Sequence, residues 1–299
     1  MSGPPRLFDQ TLRDARRRRA LRHPVEGADF LSRAVSDDLA DRLAAVKRTF
    51  GLAADIGSLS SLLGERLAAT GQIGRIVRLD RIAETRPDVV GDAELLPFAA
   101  GSLDLAVSGL ALHWCDDLPG VLAQIRRALR PDGLLLAALL GGETLTELRQ
   151  SLAAAEAELT GGASPRVAPF AELRALGALV QRAGFALPVI DVDRRTVRYD
   201  DAIALMRDLR AMGAANVLHE RSRMPLPRAV LTRAGEIYVE RFADSDGRVR
   251  ATFDVISLSG WAPHESQQQP LRPGSAKARL ADALGTVERQ AGEKAGGRN

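Results

Sequence analysis

Between residues 29 and 50 the apolar positions Leu31, Val35, Leu39, Leu43 and Val46 recur every three or four residues, the spacing of a helix that buries one face. Downstream, short apolar runs alternate with helical patterns. The spacing predicts strands over 50–56, 73–79, 88–91, 103–108 and 134–140, with helices over 61–69 and 117–129. Strands separated by single helices read as a parallel sheet with crossover helices. Arg130-Pro131-Asp132-Gly133 predicts a helix stop and a turn, because proline cannot continue a helix and Pro-Asp-Gly favours turning. After Gly141-Gly142 the pattern predicts helices over 143–159, 170–183, 202–212 and 227–242, and β-rich stretches over 187–199 and 248–261. The expectation is an α/β fold: an open, mostly parallel sheet flanked by helices, with a helical cover in the C-terminal half. Its divisions are a basic arm and helix over 1–49, a main domain over 50–263 and an irregular tail over 264–299, whose Gly-, Ala- and charge-rich end from 285 reads as disordered.

Composition narrows the function. Of 299 residues 45% are hydrophobic and 26% charged, and no apolar run approaches the 18 or so residues a membrane span needs. The first residues lack the apolar stretch of a secretory signal. A single cysteine, Cys115, excludes an internal disulfide and a multi-cysteine metal site, and His23, His113, His219 and His264 are scattered, so no metal is expected. The net charge of +3 does not mark a nucleic-acid binder. Arg13, Arg16, Arg17, Arg18, Arg19 and Arg22 make the N-terminal arm strongly basic. The favoured reading is the solvated or partner-docking face of a helix, with nucleic acid or an anionic membrane as alternatives; Asp9 and Asp14 argue against a transit peptide.

In an open parallel sheet, ligands bind beyond the carboxyl ends of the strands. Asp55 and Gly57 follow the first predicted strand, where glycine lets a ligand approach the backbone. Asp80 follows the second, placed as a carboxylate that accepts from both ribose hydroxyls. Asp92 follows the third, positioned for an adenine amino group, and Ser108 to Trp114 form the opposite wall. Taken singly, each has a plainer reading as a turn cap or strand end; the order gives them weight.

That order resembles the class I, Rossmann-like methyltransferase fold that binds S-adenosylmethionine. Leu95-Leu96-Pro97-Phe98, Leu112-His113-Trp114-Cys115-Asp116-Asp117-Leu118-Pro119, Gly141-Gly142-Glu143-Thr144-Leu145 and His264-Glu265-Ser266-Gln267 narrow the resemblance. They look like the methyltransferase-like arginine hydroxylases that assist respiratory complex I assembly, and Leu7-Phe8-Asp9 before an arginine-rich helix extends the likeness over nearly the whole chain. The resemblance implies S-adenosylmethionine as cofactor, held by Asp55, Gly57, Ser58, Asp80, Asp92, Ala93 and Ser108. It implies a complex I subunit as protein substrate, no nucleic acid, and a cytoplasmic bacterial setting in which the partner brings the protein to the inner membrane face. His113, Glu143 and Thr144 are the candidate catalytic residues.

Alternatives stay open for each. His113 at the end of the fourth strand would move a proton near neutral pH, or is a structural histidine bonded to backbone. Glu143, Thr144 and Glu147 would receive a substrate arginine, or simply suit a helix N-terminus. Cys115 reads better as a small buried hydrophobe than as a nucleophile. The first loop departs from the family, since Gly57 is followed by Ser58, Leu59, Ser60 and Ser61 rather than by further glycines, and Leu59 brings a branched side chain where the backbone must approach its ligand. Two further hypotheses follow: a conventional O- or N-methyltransferase of the malonyl-carrier-protein type, and a non-enzymatic assembly scaffold.

Overall fold

The computed structural model describes residues 6–267 and Gly285, and its main compact unit ends at His264. The expected disorder of the tail lies outside the described residues. Two helices lead the chain, α1 (Gln10–Arg22) and α2 (Phe30–Ala45). Then come β1 (Phe50–Ile56), α3 (Leu62–Ala69), β2 (Ile73–Asp80), β3 (Val89–Val90), β4 (Leu103–Gly109), α4 (Leu118–Ala128) and β5 (Leu129–Leu140). The second half supplies α5 (Thr146–Thr160), α6 (Leu173–Arg182), β6 (Ala186–Tyr199), α7 (Ala202–Ala211), α8 (Arg228–Phe242) and β7 (Val249–Trp261).

The seven strands form one sheet in the order β3-β2-β1-β4-β5-β7-β6. The first five run parallel, and β7 inserts antiparallel between β5 and β6. Order reverses between β1 and β4, and a sheet of this kind opens its ligand crevice at that switch point. Both faces are covered, which explains the apolar run of β5: Leu134, Leu136 and Ala138 enter the core beneath α2, α3, α5, α7 and α8, while Leu135, Ala137 and Leu139 enter that beneath α4 and α6. Burying each such leucine stabilises the fold by roughly 1.5–3 kcal/mol.

Three expectations change in detail. The helix expected over 29–50 stops at Ala45, because Val46 turns extended to feed β1. Arg130-Pro131-Asp132-Gly133 does not turn the chain: it forms the bulged start of β5, where pairing jumps from Leu103↔Leu129 to Leu105↔Leu134 and Asp132 takes φ +64°. The helix expected from residue 143 starts at Thr146, after a turn in which Leu145 adopts φ +55°.

The largest correction concerns α1. Its run of arginines was read as a solvated or partner-docking face, yet Arg13, Asp14 and Arg17 are buried within this chain. Arg13 and Arg17 are four residues apart and share one helix face, and that face lies over the ends of β1, β2 and β4.

Candidate functional site

Two spaces lie beyond the carboxyl ends of the strands. The larger is an apolar cavity of about 660 Å³, walled by Leu59 and Ser60 after β1, by Leu110, His113 and Trp114 after β4, and by Leu145 after β5. Helices α5 and α7 and the segment around Phe170 close its far side. The smaller is a void of about 20 Å³ that brings together Gly57, Asp80, Asp92 and Ala93. Gln10, Arg13 and Arg17 of α1 form its other wall.

Gly57 takes φ +74°, a conformation glycine adopts without strain, and its N–H donates to the Leu79 carbonyl. Behind it Asp55 is buried and lines neither space, and its carboxylate oxygens make no hydrogen bond of good geometry, only weak contacts with Ser58. Burial pushes this carboxyl up to about 6, against the opposing pull of Ser58 and of Arg78, whose Nε lies 3.8 Å away.

Asp80 is fully engaged. Arg17 Nη1 and Nη2 donate to its two oxygens at 2.8 and 2.7 Å. The Ile82 N–H and the Thr85 hydroxyl add bonds of 3.3 and 3.0 Å. Asp92 pairs with Arg81, which also reaches Asp14 of α1, and Asp92 accepts from the Glu94 N–H. An arginine network thus ties α1 to the ends of β2 and β3.

Ser58 and Ser108 face neither space. Ser58 Oγ accepts from the Gly109 N–H, and Ser108 Oγ donates to the Ile56 carbonyl, so both staple β1 to β4. Thr144 and Glu143 are likewise outside. The Thr144 hydroxyl is spent on the Asp254 backbone, donating to its carbonyl and accepting from its N–H. Glu143 is solvent-exposed. Nearby Glu147 accepts from the Thr252 N–H and hydroxyl. Thr144 and Glu147 latch the β5–α5 turn onto β7, and neither they nor Glu143 lines the cavity.

His113 does line the cavity, but its charge state departs from expectation. Burial, reinforced by the Arg13 charge, pulls its pKa down to about 3, and Nδ1 accepts a long 3.4 Å bond from the Leu140 N–H. It is a neutral imidazole at physiological pH. Trp114 packs between the His113 ring at 5.0 Å and the Phe8 ring at 5.3 Å. Burial pushes the Cys115 thiol up to about 12, which suits a buried hydrophobe rather than a nucleophile.

Three contributors, Arg13, Arg17 and Leu145, were not legible as site residues, and a fourth, Leu110, was placed only within the expected Ser108–Trp114 wall. Arg13 carries its guanidinium 5.6 Å over Trp114 with no acidic partner among the described residues, and burial with the neighbouring Arg17 charge lowers its pKa to about 10. Arg17 holds Asp80. Leu110 and Leu145, both at φ +55°, put left-handed backbone at the ends of β4 and β5, a strain that folds retain where a site requires it. The four-residue spacing of Arg13 and Arg17 was the only sequence signal. Among the described residues no cluster could hold a metal ion and no helix is long and apolar enough to cross a membrane.

Sheet order and a crevice at the β1/β4 switch define a class I methyltransferase-like protein. Residues 54–137 match the model of the methyltransferase domain family. A solved methyltransferase structure from Bacillus halodurans superimposes with a TM-score of 0.53 at 16% identity, covering 76% of this chain and 99% of its own. The chain is 40% identical over 263 residues to arginine-hydroxylase NDUFAF5, mitochondrial, from Danio rerio, covering 85% of this chain and 82% of the relative. It belongs to that arginine-hydroxylase family. Malonyl-[acyl-carrier protein] O-methyltransferase from Xylella fastidiosa is 42% identical over 175 residues, covering 58% of this chain and 57% of the relative.

Proposed function

We propose that this protein hydroxylates an arginine on a subunit of respiratory complex I and thereby assists assembly of the complex. The observation that carries this reading is the reach of the similarity. The match to the hydroxylase spans 85% of the chain, whereas that to the malonyl-carrier-protein methyltransferase spans 58%. The 660 Å³ cavity is the place for the reaction, since it lies where this architecture puts reacting groups and apolar walls exclude water. His113 acts there as a neutral hydrogen-bonding group, and Trp114 offers a face for a guanidinium.

The cofactor expected from the methyltransferase fold is S-adenosylmethionine, and its nucleoside would lie against Gly57, Asp80, Asp92 and Ala93. With Arg17 in place those residues do not fit it. Asp80 already accepts two N–H groups of Arg17 and the Ile82 N–H, and a 20 Å³ void holds no more than one water. The cofactor reading therefore requires α1 to leave the cleft.

The test is deletion of the gene followed by mass spectrometry of the complex I subunits. The expected result is loss of one oxygen atom from a particular arginine, restored by the wild-type gene, with less assembled complex. An unchanged arginine and unchanged complex I would overturn the reading, and a methyl group lost instead would establish the methyltransferase alternative.

A further inference from the structure

Asp80, the carboxylate placed to accept from a ribose, accepts from a guanidinium instead. Arg17 enters bidentately at 2.8 and 2.7 Å, the strongest arrangement available to such a pair. Both partners are almost fully buried, with 6% and 1% side-chain exposure. A second observation extends beyond this pair: the space between Gly57, Asp80, Asp92 and Ala93 is also walled by Gln10 and Arg13 of α1. A third is that α1 is fastened at both ends. Asp116 accepts from the Leu7 and Phe8 N–H groups, both at 2.9 Å, and Gln10 donates to the Trp114 carbonyl at 2.8 Å. Phe8 is buried against Trp114, and at the other end Arg18 pairs with Glu84 at 3.0 Å.

We propose that α1 is an intramolecular occupant of the nucleoside half of the cleft, with Arg17 competing against a ribose for Asp80. The inference rests on the cofactor reading above and makes that reading conditional: an adenine nucleoside binds only to the fraction of molecules in which α1 has swung off. Apparent affinity is then the intrinsic affinity reduced by that fraction. Releasing α1 strengthens binding without adding a contact to the ligand.

Cys115 provides a readout that needs no ligand. It is the only cysteine of the chain, half-buried, and it lines the void beneath α1, so maleimide labels it more slowly while the helix is docked than after it leaves. Two variants weaken the docking differently. Arg17→Ala frees Asp80, whereas Phe8→Ala loosens the N-terminal anchor in a small satellite cluster and leaves the ion pair able to form. Wild-type protein and both variants, checked for an intact fold by circular dichroism, are labelled without ligand and titrated calorimetrically with S-adenosylhomocysteine.

The expected result is labelling at least about tenfold faster in Arg17→Ala, binding tighter by a similar factor, and a smaller change of the same sign in Phe8→Ala. Equal binding in all three proteins, or weaker binding in Arg17→Ala, overturns the inference and leaves the cofactor reading standing. Unchanged labelling in both variants also overturns it, because α1 is then not held by these contacts. Faster labelling with no binding in any protein removes the cofactor reading, and the competition with it.

Discussion

Asp55→Asn tests how the buried end of β1 is held. The native carboxyl titrates at about 6 in the folded chain and at 3.8 when solvated, so burial in the charged form costs roughly 3 kcal/mol at about 1.4 kcal/mol per pH unit. The sign follows from proton binding. Between pH 3.8 and 6 the folded chain keeps a proton there that the unfolded chain has released, so stability falls as pH rises through this window and the deficit is complete above it. Asparagine removes the charge in nearly the same volume, and the carboxylate has only weak contacts with Ser58 to lose, none of them a hydrogen bond of good geometry. The variant is expected to exceed wild type by up to ~3 kcal/mol at pH 8, the gap closing towards pH 4. Urea unfolding at three pH values between these limits measures it. A variant less stable at pH 8, or a gap independent of pH, would refute the reasoning by showing that Asp55 is held as a satisfied anion. If the gap appears, the acid is retained at a cost in stability, as expected of a functional group.

Three further outcomes follow from the geometry. His113 should remain neutral at pH 6 in nitrogen-detected NMR of the imidazoles; because its folded pKa of about 3 lies below the solvated 6.5, its contribution to stability is complete above pH 6.5 and declines as pH falls towards 3. Gly57→Ala should cost about 1–2 kcal/mol in thermal or urea unfolding, since φ is +74° and a Cβ would meet the Ala111 Cβ at 3.1 Å. Thr144→Val should cost about 1–3 kcal/mol by stranding the buried Asp254 N–H, while arginine hydroxylation in complemented cells stays at the wild-type level; loss of hydroxylation at unchanged stability would return Thr144 to the reaction.

The alternation of strands and helices from Phe50 to Leu140 was legible because period-2 and period-3.6 burial is written in local spacing. That Asp55, Gly57, Asp80 and His113 stand at or just beyond strand ends was legible for the same reason: strand ends are local features. Thr144 and Ser108 were assigned to the site by position alone. Their hydroxyls are consumed by Asp254 and Ile56, 110 and 52 residues away in sequence, and no spacing rule reports such partners. Titration escaped the sequence as well, because His113 looks ordinary until its burial beside Arg13 is known.

Helix α1 marks the boundary most clearly. Its sequence determined that a basic helix would form and that Arg13 and Arg17 would share a face. Only the tertiary structure decided that this face turns inward, because the acid that neutralises Arg17 is Asp80, 63 positions along the chain. Apolar periodicity records which residues leave water for lack of polarity, whereas a buried arginine leaves water only when a distant carboxylate meets it.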